Sequence, residues 1–219
     1  MHPGSVPGPG GATVSSTVAA VEVLLVYANP EPASFGAAVR DAAVEGCRRA
    51  GHRVTVVDLY DDGFDPCLTA GEHRRYLEVA ADHPDPLVRR YLDLVRRADA
   101  LVLVYPTWWS GLPAVAKGWL ERVLLPGVAF ELHPRTHRVR PGLTHLRHVV
   151  GVTTLGGPRW ESIVLGNAGR RTITRGLRVL TGRRCRIRWL ALYRLDDSTP
   201  AEREAFLARV RDLTAGLPA

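Results

Sequence analysis

With 219 residues, 46% of them hydrophobic and 23% charged, the chain has the balance of one globular domain able to bury a substantial core. A formal charge of +7 would suit a nucleic-acid or membrane-surface partner, but of the 29 basic residues only Lys117 is a lysine. The arginine-, alanine- and glycine-rich bias fits a GC-rich genome equally well, so no nucleic-acid partner is expected.

The opening, MHPGSVPGPGGATVSS, lacks the basic and apolar regions of a secretory signal, and residues 1–19 are expected to be a disordered or processed tail ahead of a single domain over 20–219. From Val21 short apolar runs alternate with longer amphipathic stretches, which predicts strands buried on both faces with helices between them. Residues 21–27 form the first strand, 34–50 a helix capped by Ser34 and stopped at Gly51, and 54–59 the second strand. A less regular segment follows, with a helix after Thr69, whose spacing to Glu72 fits a capping box, and another over 86–97 with Pro86 in its first turn. Residues 100–105 are the third strand, 113–125 a helix, and 148–153 the fourth strand. A long helix is expected over 161–180, with Gly166, Gly169 and Gly176 as weak points, then a fifth strand over 186–193 and a last helix from Thr199 and Pro200 to Thr214.

Five strands with intervening helices predict a doubly wound α/β fold, whose ligands sit beyond the carboxyl ends of the strands at the topological switch point. The segments 28–35, 106–111 and 154–160 should therefore converge. After the first strand, ANPEPASF contains neither GxGxxG nor GxxxxGKS, so neither the common dinucleotide fingerprint nor a nucleotide-hydrolysing loop is supported, although a phosphate could still bind there. Ser34 reads either as a simple helix cap or, with the free amides of the first turn, as part of an anion site.

After the third strand, YPTWWSGLP places two adjacent tryptophans at the functional edge. They read either as packing aromatics at an interface or as the face of a planar ligand such as an isoalloxazine ring. After the fourth, TTLGGPRW offers Thr153 and Thr154 hydroxyls, with Gly156 and Gly157 allowing close backbone approach or a positive-φ turn. Their amides would stabilise negative charge on the edge of such a ring; the bland reading is an ordinary turn.

The runs VLLVYANPEPASF, DLYDDGFDPCLT, YPTWWSGLPAVAKGWLERV and VTTLGGP, in this order and spacing, resemble the NAD(P)H:quinone oxidoreductases of the flavodoxin-like fold, a group that includes DT-diaphorase and the bacterial potassium-efflux ancillary oxidoreductases. The resemblance covers nearly all of residues 21–195. It implies a flavodoxin-like three-layer sandwich with sheet order 2-1-3-4-5, noncovalent FMN or FAD in a homodimer interface, and NAD(P)H and a quinone taking turns on the ring.

By the same resemblance the phosphate loop falls on Asn29, Ser34 and Phe35, and the ring-contacting loop on Pro106, Thr107, Trp108 and Trp109. The pyrimidine-edge loop falls on Thr153, Thr154, Gly156 and Gly157, and Phe130 lies where relatives place an aromatic near the acceptor. The chain departs from the pattern at Asn29, where histidine is usual, and at an inserted Leu155. Arg159 or Trp160 stands where relatives carry a tyrosine and a histidine that manage charge. The residues implied for catalysis are Trp109, Gly156, Gly157 and Trp160, and those for the acceptor Trp109 and Phe130.

Cys47, Cys67 and Cys185 are odd in number and far apart, which suggests neither disulfides nor a thiolate metal site and fits a reducing cytoplasm. The histidines 133, 137, 145 and 148 lie in a Pro- and Arg-rich connection without carboxylates, so no metal is expected. The arginines between 170 and 188 read as a solvated basic face or as a contact to a nucleotide phosphate or acidic partner. No GxSxG elbow occurs, and Ser110 has no base partner, which argues against a hydrolase. The expected function is two-electron transfer from NAD(P)H through a flavin to a quinone-like acceptor by a ping-pong route. The alternative is a regulatory subunit that binds nucleotide and controls a membrane transporter.

Overall fold

The computed structural model describes residues 20–77 and 83–217. The expected tail over 1–19 lies outside the described residues. Five parallel strands, β1 (Glu22–Tyr27), β2 (Arg53–Asp58), β3 (Ala100–Pro106), β6 (His148–Thr154) and β7 (Arg186–Leu192), form one sheet in the order β2-β1-β3-β6-β7. Counted along the sheet strands alone this is the expected 2-1-3-4-5 order. The two intervening strands, β4 (Phe130–Leu132) and β5 (Val139–Pro141), form a separate antiparallel hairpin.

Strand side chains alternate between two cores. Leu24, Val26, Leu101 and Leu103 pack in the larger one under α3 (Pro86–Arg97) and α4 (Ala114–Val123). Val23, Leu25, Val102 and Val104 face the other way, toward α1 (Phe35–Arg49) and α7 (Pro200–Ala215). The result is the three-layer sandwich expected of a sheet whose strands are apolar on both faces. None of the helices is long and apolar enough to cross a membrane among the described residues.

The caps follow their sequence signals. Ser34, Thr69, Asp85 and Thr199 each accept a first-turn amide, and Thr69–Glu72 and Thr199–Glu202 close full capping boxes. The helix expected over 161–180 is not continuous. It divides into α5 (Arg159–Val164), α6 (Ala168–Arg171), a π-helical turn (Thr172–Gly176) and a 3-10 turn (Leu177–Val179). Gly166 and Asn167 both take positive φ, and their amides return to Ile163 O (3.0 Å) and Ser162 O (2.8 Å), which ends α5 in the manner of a left-handed helix stop. Arg171, Arg175 and Arg178 consequently do not share a regular helical face. The connection expected to carry loop histidines folds into the β4–β5 hairpin, where His133 Nδ1 accepts the amides of Arg135 and Thr136.

The excursion between β2 and α3 is held by a buried ionic cluster around Arg122 of α4, which bonds Glu72 in α2 (Ala70–Arg74) and the α3 cap Asp85. His83 donates from Nε2 to Glu72 at 3.1 Å and accepts the Asp85 amide at Nδ1. Burial opposes the charged form of Glu72 and Asp85, but hydrogen bonds from Thr69, Leu87 and Arg122 outweigh it and hold both carboxyls below their ordinary range. Burial also lowers His83, against the pull of Glu72, so its ring stays neutral.

All three groups bind protons more readily in the unfolded chain, so stability should fall with pH. The loss begins below about 6.5 as unfolded His83 charges and deepens below about 4 as the carboxylates protonate. Urea midpoints measured across pH 3–8 should decline monotonically on the acid side. A midpoint that rose on acidification would contradict this account.

Candidate functional site

Three loops converge at the carboxyl edge of β1, β3 and β6, as their positions beside the switch point require. At the first, Ser34 Oγ receives Asn29 Nδ2 at 3.0 Å and the Ala37 amide at 3.3 Å, with the Tyr27 hydroxyl 3.4 Å away. Among the described residues the amides of Phe35 and Gly36 bond to nothing, so two helix-start donors remain beside the serine hydroxyl. Gly36 is required for this arrangement, since a Cβ there would come within 2.6 Å of Asn29 Nδ2. Phe35 packs against Phe206 with ring centroids 6.3 Å apart, and the Arg203 guanidinium lies 5.8 Å from its centroid. Arg40 covers Tyr27 in the same manner at 4.9 Å.

The second loop is a two-residue hairpin turn. Trp108 and Gly111 exchange backbone bonds of 3.2 and 2.9 Å, while Trp109 and Ser110 between them take φ of 49° and 60°. This is the backbone of a type I′ turn, which ordinarily selects Asn-Gly; a bulky tryptophan there is strained. Trp109 is 103% exposed and Trp108 43%. The turn is tied down on both sides, since the Thr107 amide donates to Thr154 O at 2.8 Å, and the Gly169 amide donates to Ser110 O at 3.2 Å. The Thr107 and Thr153 hydroxyls share a 2.8 Å bond across the strands.

In the third loop, Leu155 extends the β6–β7 pairing by donating to Leu192 O at 2.8 Å, and Arg194 donates to Gly157 O at 3.1 Å. The inserted leucine is thus absorbed as strand continuation. Gly156 and Gly157 do not adopt positive φ, so their role is room rather than turn geometry. A Cβ on Gly156 would lie 3.0 Å from Asp196 Oδ2, and one on Gly157 2.7 Å from Glu161 Oε2. Their amides form no hydrogen bond within the described residues, leaving two donors with two carboxylates alongside.

A cavity of about 120 Å³ joins the second and third loops, lined by Thr107, Ser110, Gly156, Gly157, Glu161 and Leu165 among others. A larger hollow of about 550 Å³ opens beside the β7 end and α7, bordered by Tyr193, Arg194, Phe206 and Arg209. Trp160, in the first turn of α5, is 67% exposed, and Ile163, Val164 and Leu165 after it are also exposed. With Trp108 and Trp109 they add exposed apolar surface on the segments that carry the site.

Asn29, Ser34 and Phe35 thus share one loop, and Pro106 to Trp109 join Thr153, Thr154, Gly156 and Gly157 at the next two strand ends. Phe130 is not brought to the cavity; it starts β4, pairs with Pro141 and packs half-buried on the larger core. The residues that sequence reasoning overlooked are Tyr27, Gly36, Glu161 and Asp196. Gly36 carried a readable signal, a glycine two positions after the cap, where only a missing side chain admits the Asn29 amide.

A model of the flavodoxin-like fold family matches residues 22–215. The ribosyldihydronicotinamide dehydrogenase [quinone] of Pongo abelii is 33% identical over 134 residues, 52% of this chain and 56% of its own length. An uncharacterized NAD(P)H oxidoreductase of Haemophilus influenzae is 35% identical over 111 residues, 49% of this chain and 52% of its own. The chain spans about half the length of these curated relatives. Among solved structures, the NAD(P)H:quinone oxidoreductase from Methanothermobacter marburgensis superposes with a TM-score of 0.74 at 28% identity, over 90% of this chain and 96% of that one.

Proposed function

The chain belongs to the flavodoxin-like fold family, and from that premise we propose that it is a flavin-dependent NAD(P)H oxidoreductase acting on a quinone-like acceptor. The observation that carries this reading is the pairing of a strained, fully exposed Trp109 with the unbonded amides of Gly156 and Gly157 at one end of the sheet. The relatives named above, a quinone dehydrogenase and a quinone oxidoreductase, support it.

The donor set fits a flavin. Ser34 and the Phe35 and Gly36 amides suit a phosphate at the dipole end of α1, and the Asn29 amide can replace the usual histidine as a donor while also holding Ser34. A flavin's pyrimidine edge presents acceptors and one N–H, and the third loop offers both complements in its glycine amides and the Asp196 and Glu161 carboxylates. When bound, the flavin supplies a two-electron carrier that takes hydride from NAD(P)H and gives it to the acceptor in a second half-reaction.

The chain's own part is positioning and electrostatics. The Gly156 and Gly157 amides would hold the ring edge and stabilise charge there, Trp109 would shield the ring from water, and the Thr107–Thr153 hydroxyl pair fixes the loop that carries Trp109. Arg159 or Trp160 would stand in the place of the relatives' tyrosine and histidine, and neither side chain gives up a proton near neutral pH. The exposed Trp108, Trp160, Ile163, Val164 and Leu165 would be covered in a homodimer.

With flavin bound, the protein should oxidise about one NADH or NADPH per site without an acceptor and turn over repeatedly only when a quinone is present, and double-reciprocal plots should give the parallel lines of a ping-pong reaction. Acceptor-independent rates alone, or none at all, would contradict the proposal.

A further inference from the structure

We propose that the amino edge of the sheet carries a second binding site, for a small ligand bearing a pyrophosphate or similarly multicharged phosphate group. A hollow of about 530 Å³ lies there, lined by Thr144, His145, Arg147, His148, Arg184 and Arg186 over a buried Leu146. Its volume is within the roughly 300–1,000 Å³ range of small-molecule sites. No carboxylate lines it, and Arg147, Arg184 and Arg186 make no ion pair among the described residues.

The site is built rather than incidental. β6 and β7 start side by side, His148 is in register with Arg186, and the Arg186 amide donates to Arg147 O at 2.8 Å. The preceding segments are pinned as well. Leu143 N bonds Leu180 O at 2.9 Å, Cys185 N bonds Gly182 O at 3.0 Å, and Arg178 Nη1 bonds Cys185 O at 2.6 Å. His145 uses Nε2 on Val95 O at 3.0 Å, which leaves Nδ1 for a ligand. Asp99, whose carbonyl receives the Arg147 amide, has a carboxylate oxygen engaged by the Glu22 amide at 3.0 Å.

Three guanidiniums around one concave surface repel one another unless an anion sits between them, and their planar donor forks match phosphate oxygens. A ligand carrying several phosphate charges satisfies all three at once. The hollow cannot share a ligand with the flavin site. β6 runs from His148 to Thr154, a rise of about 20 Å at roughly 3.3 Å per residue, and the third loop lies at its far end. Arg184 and Arg186 are thereby removed from any contact with a nucleotide bound at the carboxyl edge. A membrane surface is a poorer match because no exposed large apolar residue lines the hollow. A duplex is poorer because these arginines line one hollow rather than a stripe along the surface.

Calorimetric titration with inorganic pyrophosphate, on protein with and without flavin, tests this independently of the oxidoreductase proposal. One site should be seen in both samples. Arg184→Gln with Arg186→Gln, both exposed positions, should weaken it at least tenfold while circular dichroism and quinone-dependent turnover stay unchanged. Ser34→Ala should leave it unaltered. Absence of binding, equal affinity in the double variant, or affinity confined to duplex DNA or anionic vesicles would overturn the proposal.

Discussion

Arg122→Ala should cost the protein about 3–5 kcal/mol, the loss expected when one partner of a buried ion pair is removed and the other stays buried. The Arg122 side chain is 5% exposed. Nε and Nη2 donate to Glu72 Oε1 at 2.9 and 2.6 Å, Nη2 to Asp85 Oδ2 at 2.9 Å, and Nη1 to the Asp65 carbonyl at 2.6 Å. One guanidinium therefore fastens three separate points of the excursion to α4, with the Phe64 ring 5.3 Å from its centre. Without it Glu72 retains only His83 and the Thr69 cap against the cost of burial. Glu72→Leu together with Arg122→Met should recover only part of the loss: the Glu72 charge leaves with its partner, but Asp85 still loses its cation, and His83 and the Thr69 cap lose their carboxylate. Urea unfolding of the single and double variants reads both effects. A single-variant loss below about 1 kcal/mol would mean that the cluster is solvated like a surface pair.

Trp109→Ala should lower flavin affinity by roughly ten- to a hundredfold, in line with about 1–3 kcal/mol for an aromatic stacking on a heterocycle. Stability should not fall in parallel. Trp109 makes no buried contact in the monomer, and its positive φ opposes folding. A sharper form is Trp109→Asn with Ser110→Gly, which installs the residues a type I′ turn prefers. That variant should gain about 1–2 kcal/mol in urea, by relief of left-handed strain, and lose flavin affinity as the alanine does. Opposite signs in the two measurements identify strain retained for ligand contact. Loss of both would show that the tryptophan is a packing residue.

The sheet was legible because each strand is a short apolar run bracketed by turn residues, and the caps at Ser34, Thr69 and Thr199 because a hydroxyl stands at a fixed offset from each helix start; before α3 the legible signal was Pro86 rather than the Asp85 cap. The loop positions of the candidate site followed directly from strand order. The strained turn was not legible. Positive φ normally announces itself through glycine or asparagine, and Trp109 and Ser110 carry neither signal; the Trp108–Gly111 bonds impose it.

Of the weak points Gly166, Gly169 and Gly176 in the 161–180 stretch, the break falls at Gly166 with the unmarked Asn167 beside it, whose amides find carbonyls three and five residues back. The β4–β5 hairpin is too short and too polar for an alternation pattern to show. Arg122 sits 50 residues from Glu72 and 37 from Asp85, so no local pattern joins them. The arginines of 183–188 looked like one feature of the chain, but the register of β7 carries them to the end of the sheet away from the candidate cofactor site.

The central claim is that the three loops hold a flavin, and it is tested most directly by titrating purified protein with FMN and with FAD while recording flavin absorbance and fluorescence. One of the two should bind at one molecule per chain with a perturbed absorbance band. Ser34→Ala and Trp109→Ala should each weaken that binding. If neither flavin copurifies with or binds to the protein, the account of this site is wrong.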